Sequence, residues 1–126
     1  MISCAFVSVV DDDESVRESL PDLLRALGYA VRVYSSAEDF LDSEQVQNTQ
    51  CLILDVLLHG MRGPELIRRL AARSVAVPII YITAHADEEL RARLLREGAV
   101  ACLFKPFSDT ALITALHSAI QVGGLN

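Results

Sequence analysis

The sequence predicts an α/β protein built on a single doubly wound, five-stranded parallel sheet, and three observations predict it. Five short apolar runs alternate with segments whose apolar residues recur at helical spacing. The runs are near-continuously apolar, as strands are when helices cover both faces of a parallel sheet. Three of them end in charge: Val9-Val10 runs into Asp11-Asp12-Asp13, Leu52-Ile53-Leu54 into Asp55, and Leu103-Phe104 into Lys105. Right-handed crossovers leave few topologies for such a chain.

Each element has its own local reason. Ala5 to Val10 forms the first strand, and Val16, Leu20, Leu23, Leu24 and Leu27 then mark an amphipathic helix that Gly28 ends. Pro21 lies inside that helix, where a missing N–H costs about 3 kcal/mol and predicts a bend or local irregularity. Tyr29 to Tyr34 alternates into the second strand, and Ser35 with Glu38 reads as a capping box for a short helix containing Phe40 and Leu41. Cys51 to Asp55 is the third strand. Gly63-Pro64 opens the third helix, with Leu66, Ile67, Leu70 and Ala71 inward and Arg68, Arg69 and Arg73 toward water. Pro78 to Thr83 is the fourth strand. Asp87 to Glu97 follows as a helix laced by Glu88-Arg91 and Glu89-Arg93 pairs and stopped by Gly98. Ala101 to Lys105 is the fifth strand. Ser108 then caps a last helix whose inner stripe is Leu112, Ala115, Leu116, Ala119 and Ile120.

With 126 residues, 52% of them apolar, the chain is expected to be one globular domain, 1–126, with a real core. No apolar window approaches a membrane span, and Met1 to Val10 lacks the basic leader of a signal peptide, so a cytoplasmic location is expected. The net charge of −6 argues against direct nucleic-acid binding, which rests on clustered Lys and Arg. Cys4, Cys51 and Cys102 are scattered in apolar sequence and read as buried reduced thiols; His59, His85 and His117 form no metal-binding spacing.

In open parallel sheets ligands bind beyond the carboxyl ends of the strands. There the aspartates and Lys105 meet. Converging carboxylates repel unless a cation is shared between them, and oxygen-only ligands favour Mg²⁺ or Ca²⁺. Singly, each residue has a plainer explanation: Asp13 as a helix cap, Asp55 in a turn, Lys105 as a solvated strand end. Their joint arrangement favours a metal-assisted carboxylate site.

Val10-Asp11-Asp12-Asp13-Glu14, the strand ending in Asp55 with Gly63 after it, Ile82-Thr83-Ala84 and Lys105-Pro106-Phe107 together resemble the receiver domain of two-component response regulators. Val33 to Leu41 resembles its FixJ-like subfamily, whose members commonly join a receiver to a DNA-binding domain. The resemblance spans essentially the whole chain and implies a flavodoxin-like fold with strand order 2-1-3-4-5. It also implies that Asp55 accepts a phosphoryl group from a sensor histidine kinase. Mg²⁺ would be held by Asp12, Asp55 and the Leu57 main-chain carbonyl, and through water by Asp11. Lys105, the only lysine, would supply a fixed positive charge, and the Thr83 hydroxyl and Ala84 N–H would donate to phosphoryl oxygens. Such a chain catalyses only its own phosphorylation and dephosphorylation, and it switches a partner or output domain, here expected to regulate transcription. The Lys105-Pro106 bond is expected to be cis.

Two other classes are weighed against particular residues. A flavodoxin-like cofactor binder needs a Ser/Thr/Gly-rich phosphate loop where this chain has three aspartates, and a haloacid-dehalogenase-type phosphatase needs a second aspartate where it has Leu57. A receiver-like module that is never phosphorylated is the remaining alternative, although such forms usually lack one of the acids or the lysine. Within the resemblance, Leu58-His59 replaces the usual Met-Pro, and Leu57 and His85 flank the path of the hydrolytic water. Cys102 occupies the place of the usual switch aromatic. Thr83, Cys102 and Tyr81 are the expected switch positions. A thiol at Cys102 is too small for a ring swing, so the ring of Tyr81, which shares the strand parity of Thr83, or a shift of the loop from Ala84 to Asp87 is expected to couple the site to a dimer or partner face on the fourth helix and fifth strand.

Overall fold

The structure, a computed structural model, describes residues 5–58 and 60–124, with side chains through Gln121; Cys4 and His59 therefore lie outside the described residues. Five strands, β1 (Phe6–Val10), β2 (Ala30–Tyr34), β3 (Cys51–Asp55), β4 (Ile79–Thr83) and β5 (Ala101–Phe104), form one parallel sheet in the order β2-β1-β3-β4-β5. The helices are α1 (Glu14–Ala26), α2 (Ala37–Leu41), α3 (Gly63–Ala72), α4 (Glu88–Arg96) and α5 (Asp109–Gly124). This is the doubly wound, flavodoxin-like arrangement, and it places the carboxyl ends of β1, β3, β4 and β5 side by side.

The sheet separates two apolar layers. Val10, Leu52, Leu54, Tyr81 and Cys102 pack with Phe40, Leu66, Leu70 and Leu94 of the helices α2, α3 and α4. Val7, Val9, Ile53, Ile80 and Ile82 pack with Leu20 and Leu24 of α1 and with Leu112, Ala115, Leu116 and Ala119 of α5. Alternate strand residues point to opposite layers, which explains why β3 and β4 are apolar up to their last residues, Asp55 and Thr83, and buried at every position.

Local expectations hold in most elements and shift in a few. Asp13 caps α1, accepting from Ser15 N–H at 3.0 Å, and the helix runs continuously through the buried Pro21. Ser36, one residue later than expected, caps α2 by accepting from Asp39 N–H at 3.0 Å; Ser36 has the extended backbone a cap needs, and Ser35 instead donates to Asp39 Oδ2. On α3 the buried residues are Gly63, Leu66 and Leu70, while Ile67 and Ala71 are exposed, because a short helix on a twisted sheet buries one i, i+4 seam. Arg73 donates to the Leu41 carbonyl at 2.8 Å. On α4 the Glu88–Arg91 pair forms at 3.3 Å, and it is the one ion pair within that helix among the described residues. Ser108 accepts from Ala111 N–H at 3.0 Å at the start of α5. Cys51 and Cys102 are buried free thiols, and burial pushes the Cys51 thiol up to about 12. Among the described residues, no helix is long and apolar enough to cross a membrane.

Candidate functional site

Parallel pairing of β1 with β3 sets Val10 beside Leu54, so the residues that follow these strands, Asp11 and Asp12, come to lie against Asp55. Carboxylate oxygens of Asp11, Asp12 and Asp55 all fall within 4.8 Å of one another. Three hard oxygen donors at this spacing fit a divalent cation such as Mg²⁺. Asp11 is wholly buried and Asp55 is 6% exposed. The two carboxylates are held by the backbone that follows them: Asp11 Oδ1 accepts from Asp13 N–H at 2.9 Å, and Asp55 Oδ1 accepts from Leu57 N–H at 3.0 Å.

Lys105, at the end of β5, crosses to these acids. Its Nζ donates to Asp11 Oδ2 at 2.9 Å and stands 3.6 Å from Asp55 Oδ2. Burial pushes the Asp11 carboxyl up to about 6 against the pull of Lys105, and the Asp55 charge adds to the rise. Burial alone would lower the Lys105 ammonium, but the bond to Asp11 and the charges of Asp11, Asp55 and Asp13 raise it above its usual value. The cluster therefore carries its own counter-charge, seated closer to Asp11 than to Asp55. The Lys105-Pro106 bond is cis.

Thr83 ends β4 one strand away and is 1% exposed; its Oγ1 accepts from His85 N–H at 3.1 Å. Ala84 and His85 are exposed beyond it. Leu57, 43% exposed, joins Thr83, His85, Ala86, Asp87 and Leu90 around a cavity of about 360 Å³. Asp11, Asp12, Asp55, Leu57, Thr83, Ala84, His85 and Lys105 thus gather at one end of the sheet. Tyr81 and Cys102 do not reach it. They lie buried in the layer below, opposite one another on β4 and β5.

Three side-chain-to-backbone contacts around the site have no signature in the sequence pattern. Arg17 Nη1 donates to the Asp11 carbonyl at 3.0 Å, Glu38 Oε2 accepts from Met61 N–H at 3.3 Å, and Arg91 Nε donates to the Cys102 carbonyl at 3.0 Å. From sequence, Arg91 is expected only as the partner of Glu88, and Glu38 only as part of a helix cap.

Comparison with known proteins agrees with this geometry. Residues 7–117 match the family model of the response regulator receiver domain. Nodulation protein W of Bradyrhizobium diazoefficiens is 41% identical over 93% of this chain and 52% of its own length. The transcriptional regulatory protein FixJ of Azorhizobium caulinodans is 40% identical over 90% of this chain and 54% of its own. The chain spans about half the length of these curated relatives. Among solved structures, FixJ-N superposes with a TM-score of 0.82 at 37% identity, covering 95% of this chain and 96% of that one. The response regulator StyR gives 0.86 at 40% identity, covering 97% of this chain and 62% of that one. With the family model matched along most of its length and the acids and lysine gathered where the strands end, the chain belongs to the response regulator receiver domain family.

Proposed function

We propose that residues 1–126 form a receiver domain in which Asp55 accepts a phosphoryl group, with Mg²⁺ seated among Asp11, Asp12 and Asp55. Receiver domains of response regulators are phosphorylated by sensor histidine kinases and generally bind Mg²⁺ at an acidic pocket. The observation that carries the reading is the convergence of three carboxylates within 4.8 Å, with Lys105 ion-paired to two of them.

In this reading an Asp55 carboxylate oxygen attacks the phosphorus of a kinase phosphohistidine. The P–N bond breaks, its electron pair returns to the imidazole, which takes up a proton, and Asp55 becomes an acyl phosphate. Mg²⁺, when bound, supplies the positive charge that lets an anionic nucleophile meet an anionic phosphoryl group. Asp12, Asp55 and the Leu57 carbonyl would hold it, with Asp11 contributing through water. Lys105 neutralises a phosphoryl oxygen, while the Thr83 hydroxyl and the Ala84 N–H donate to the others. Leu57 and His85 flank the later approach of water.

Phosphorylation is transmitted through Thr83, Tyr81 and Cys102 to the α4–β5 face, where a second copy or a partner docks. The output is transcriptional, exerted in the cytoplasm through DNA contacts made outside this domain. Incubation with Mg²⁺ and a small phosphodonor, followed by intact mass, tests the central claim: the wild type should gain one phosphoryl group and Asp55→Asn none. Equal gain by both proteins would place the acceptor elsewhere.

A further inference from the structure

We propose that Glu38 is a positioning residue for the phosphoacceptor loop, an inference that rests on the reading of the site given above. The chain between β3 and α3 carries the Leu57 carbonyl assigned to the cation. At its start, Leu57 N–H is tied to Asp55 Oδ1 at 3.0 Å. Near its end, Met61 N–H donates to Glu38 Oε2 at 3.3 Å, across a sequence separation of 23 residues. The carboxylate lies so close to the loop that a Cβ on Gly60 would come within 3.0 Å of Glu38 Oε2, and Gly60 has φ of 74°. The loop passes the carboxylate in a backbone conformation that glycine alone adopts readily.

The helix that carries Glu38 is itself fixed to the same unit. Arg73, just past α3, holds the Leu41 carbonyl at the other end of α2 at 2.8 Å. Two contacts thus fix α2, one near its start to the β3–α3 connection and one at its end to the residue that follows α3. An ionised carboxylate accepting a backbone N–H makes a charge-assisted bond, stronger than a neutral one. Holding the loop in place before the cation arrives removes part of the ordering cost of binding. Groups that orient metal ligands from behind typically change affinity 10–100-fold when removed. Glu38 acts at longer reach, so the low end of that range is the expected effect.

Two measurements on the wild type, Glu38→Ala and Glu38→Gln test this: amide exchange of Met61 by NMR without cation, and the Mg²⁺ dissociation constant by calorimetry. Glu38→Ala should speed Met61 exchange and weaken Mg²⁺ binding about tenfold. Glu38→Gln keeps an acceptor and should restore most of both. The melting temperature should barely change, since Glu38 is exposed. Met61 exchange unaltered in Glu38→Ala would overturn the brace, and so would a loss shared in full by Glu38→Gln. Equal Mg²⁺ affinity of Glu38→Ala and a Mg²⁺-binding wild type would overturn the positioning role alone. A wild type that does not bind Mg²⁺ would refute the reading of the site and, with it, any effect of Glu38 on affinity.

Discussion

At the scale of single residues, repulsion and its relief govern the site. Asp11, Asp12 and Asp55 gather within 4.8 Å of one another, and the Lys105 ammonium stands 2.9 Å from Asp11 and 3.6 Å from Asp55. Removing one charge from such a cluster should stabilise the cation-free protein, by about 1 kcal/mol or less in a partly hydrated site. Asp12→Ala is therefore expected to melt above the wild type without Mg²⁺ and to lose the rise in melting temperature that Mg²⁺ gives the wild type. A lower cation-free melting temperature in the variant would contradict the repulsion account. Leu57 sets a different property. Its exposed apolar side chain, two residues past Asp55, lines a cavity with Thr83 and His85 and offers nothing that could hydrogen-bond an attacking water. The phosphorylated form should be long-lived, and Leu57→Asn or Leu57→Glu should shorten its half-life severalfold in a phosphate-release assay. An unchanged half-life would reject the idea.

At the scale of elements, the pairing of β4 with β5 bears on how the site signals. Tyr81 lies directly opposite Cys102, and both belong to the layer under α3 and α4. The ring has filled the space: a Cβ on Gly63, at the start of α3, would come within 3.0 Å of Tyr81 Cε1. A small residue where receivers usually carry an aromatic is thus matched by an aromatic on the neighbouring strand. Cys102→Phe alone should overpack this layer at a cost of about 1–3 kcal/mol, and Tyr81→Val alone should leave a cavity costing about 2 kcal/mol. Together they should cost less than the sum by about 1 kcal/mol, because each makes room for the other. Urea denaturation of the four proteins gives that difference, and strict additivity would show that the two side chains do not share one space. Element identity was legible in the sequence because apolar runs bounded by charge and glycine report burial directly. Which side of α3 faces the core was less so: periodicity marks an apolar stripe but not its width, and Ile67 and Ala71 fall outside the buried seam. The choice between Ser35 and Ser36 as cap turned on backbone angles that neither residue type dictates. The gathering of the acids and Lys105 was legible because sheet topology brings strand ends together, whereas Thr83 was legible only through the family resemblance. The seat of Lys105 on Asp11, and the reach of Glu38, Arg17 and Arg91, depend on distances that no local pattern encodes.

Across the whole molecule, the five helices are not equally bound to the sheet. Leu20, Pro21 and Leu24 of α1 are buried, as are Leu112, Ala115, Leu116 and Ala119 of α5, whereas α4 buries Leu94 alone. Leu90 packs half-buried on the same layer, and Arg91 adds a guanidinium stacked 3.8 Å from the centre of the Phe104 ring while its Nε bonds the Cys102 carbonyl at 3.0 Å. A helix with one buried apolar anchor and one half-exposed cation should open locally at lower free energy than its neighbours. Phe104 pairs with Thr83 across the β4–β5 ladder, so a change at the Thr83 hydroxyl lies one strand from the surface on which Arg91 rests. On the proposed phosphorylation of Asp55, α4 is the helix expected to shift most cheaply. Hydrogen exchange of the unphosphorylated protein should show α4 amides less protected than those of α1 and α5. Arg91→Ala should lower that protection further, by about 1 kcal/mol for the lost stacking and hydrogen bond, and leave α1 and α5 unchanged. Protection of α4 equal to that of α5, or an Arg91→Ala effect spread over all helices, would mean that the helix is held by the fold as a whole, and the route from Asp55 to the α4–β5 face would then need a different moving part.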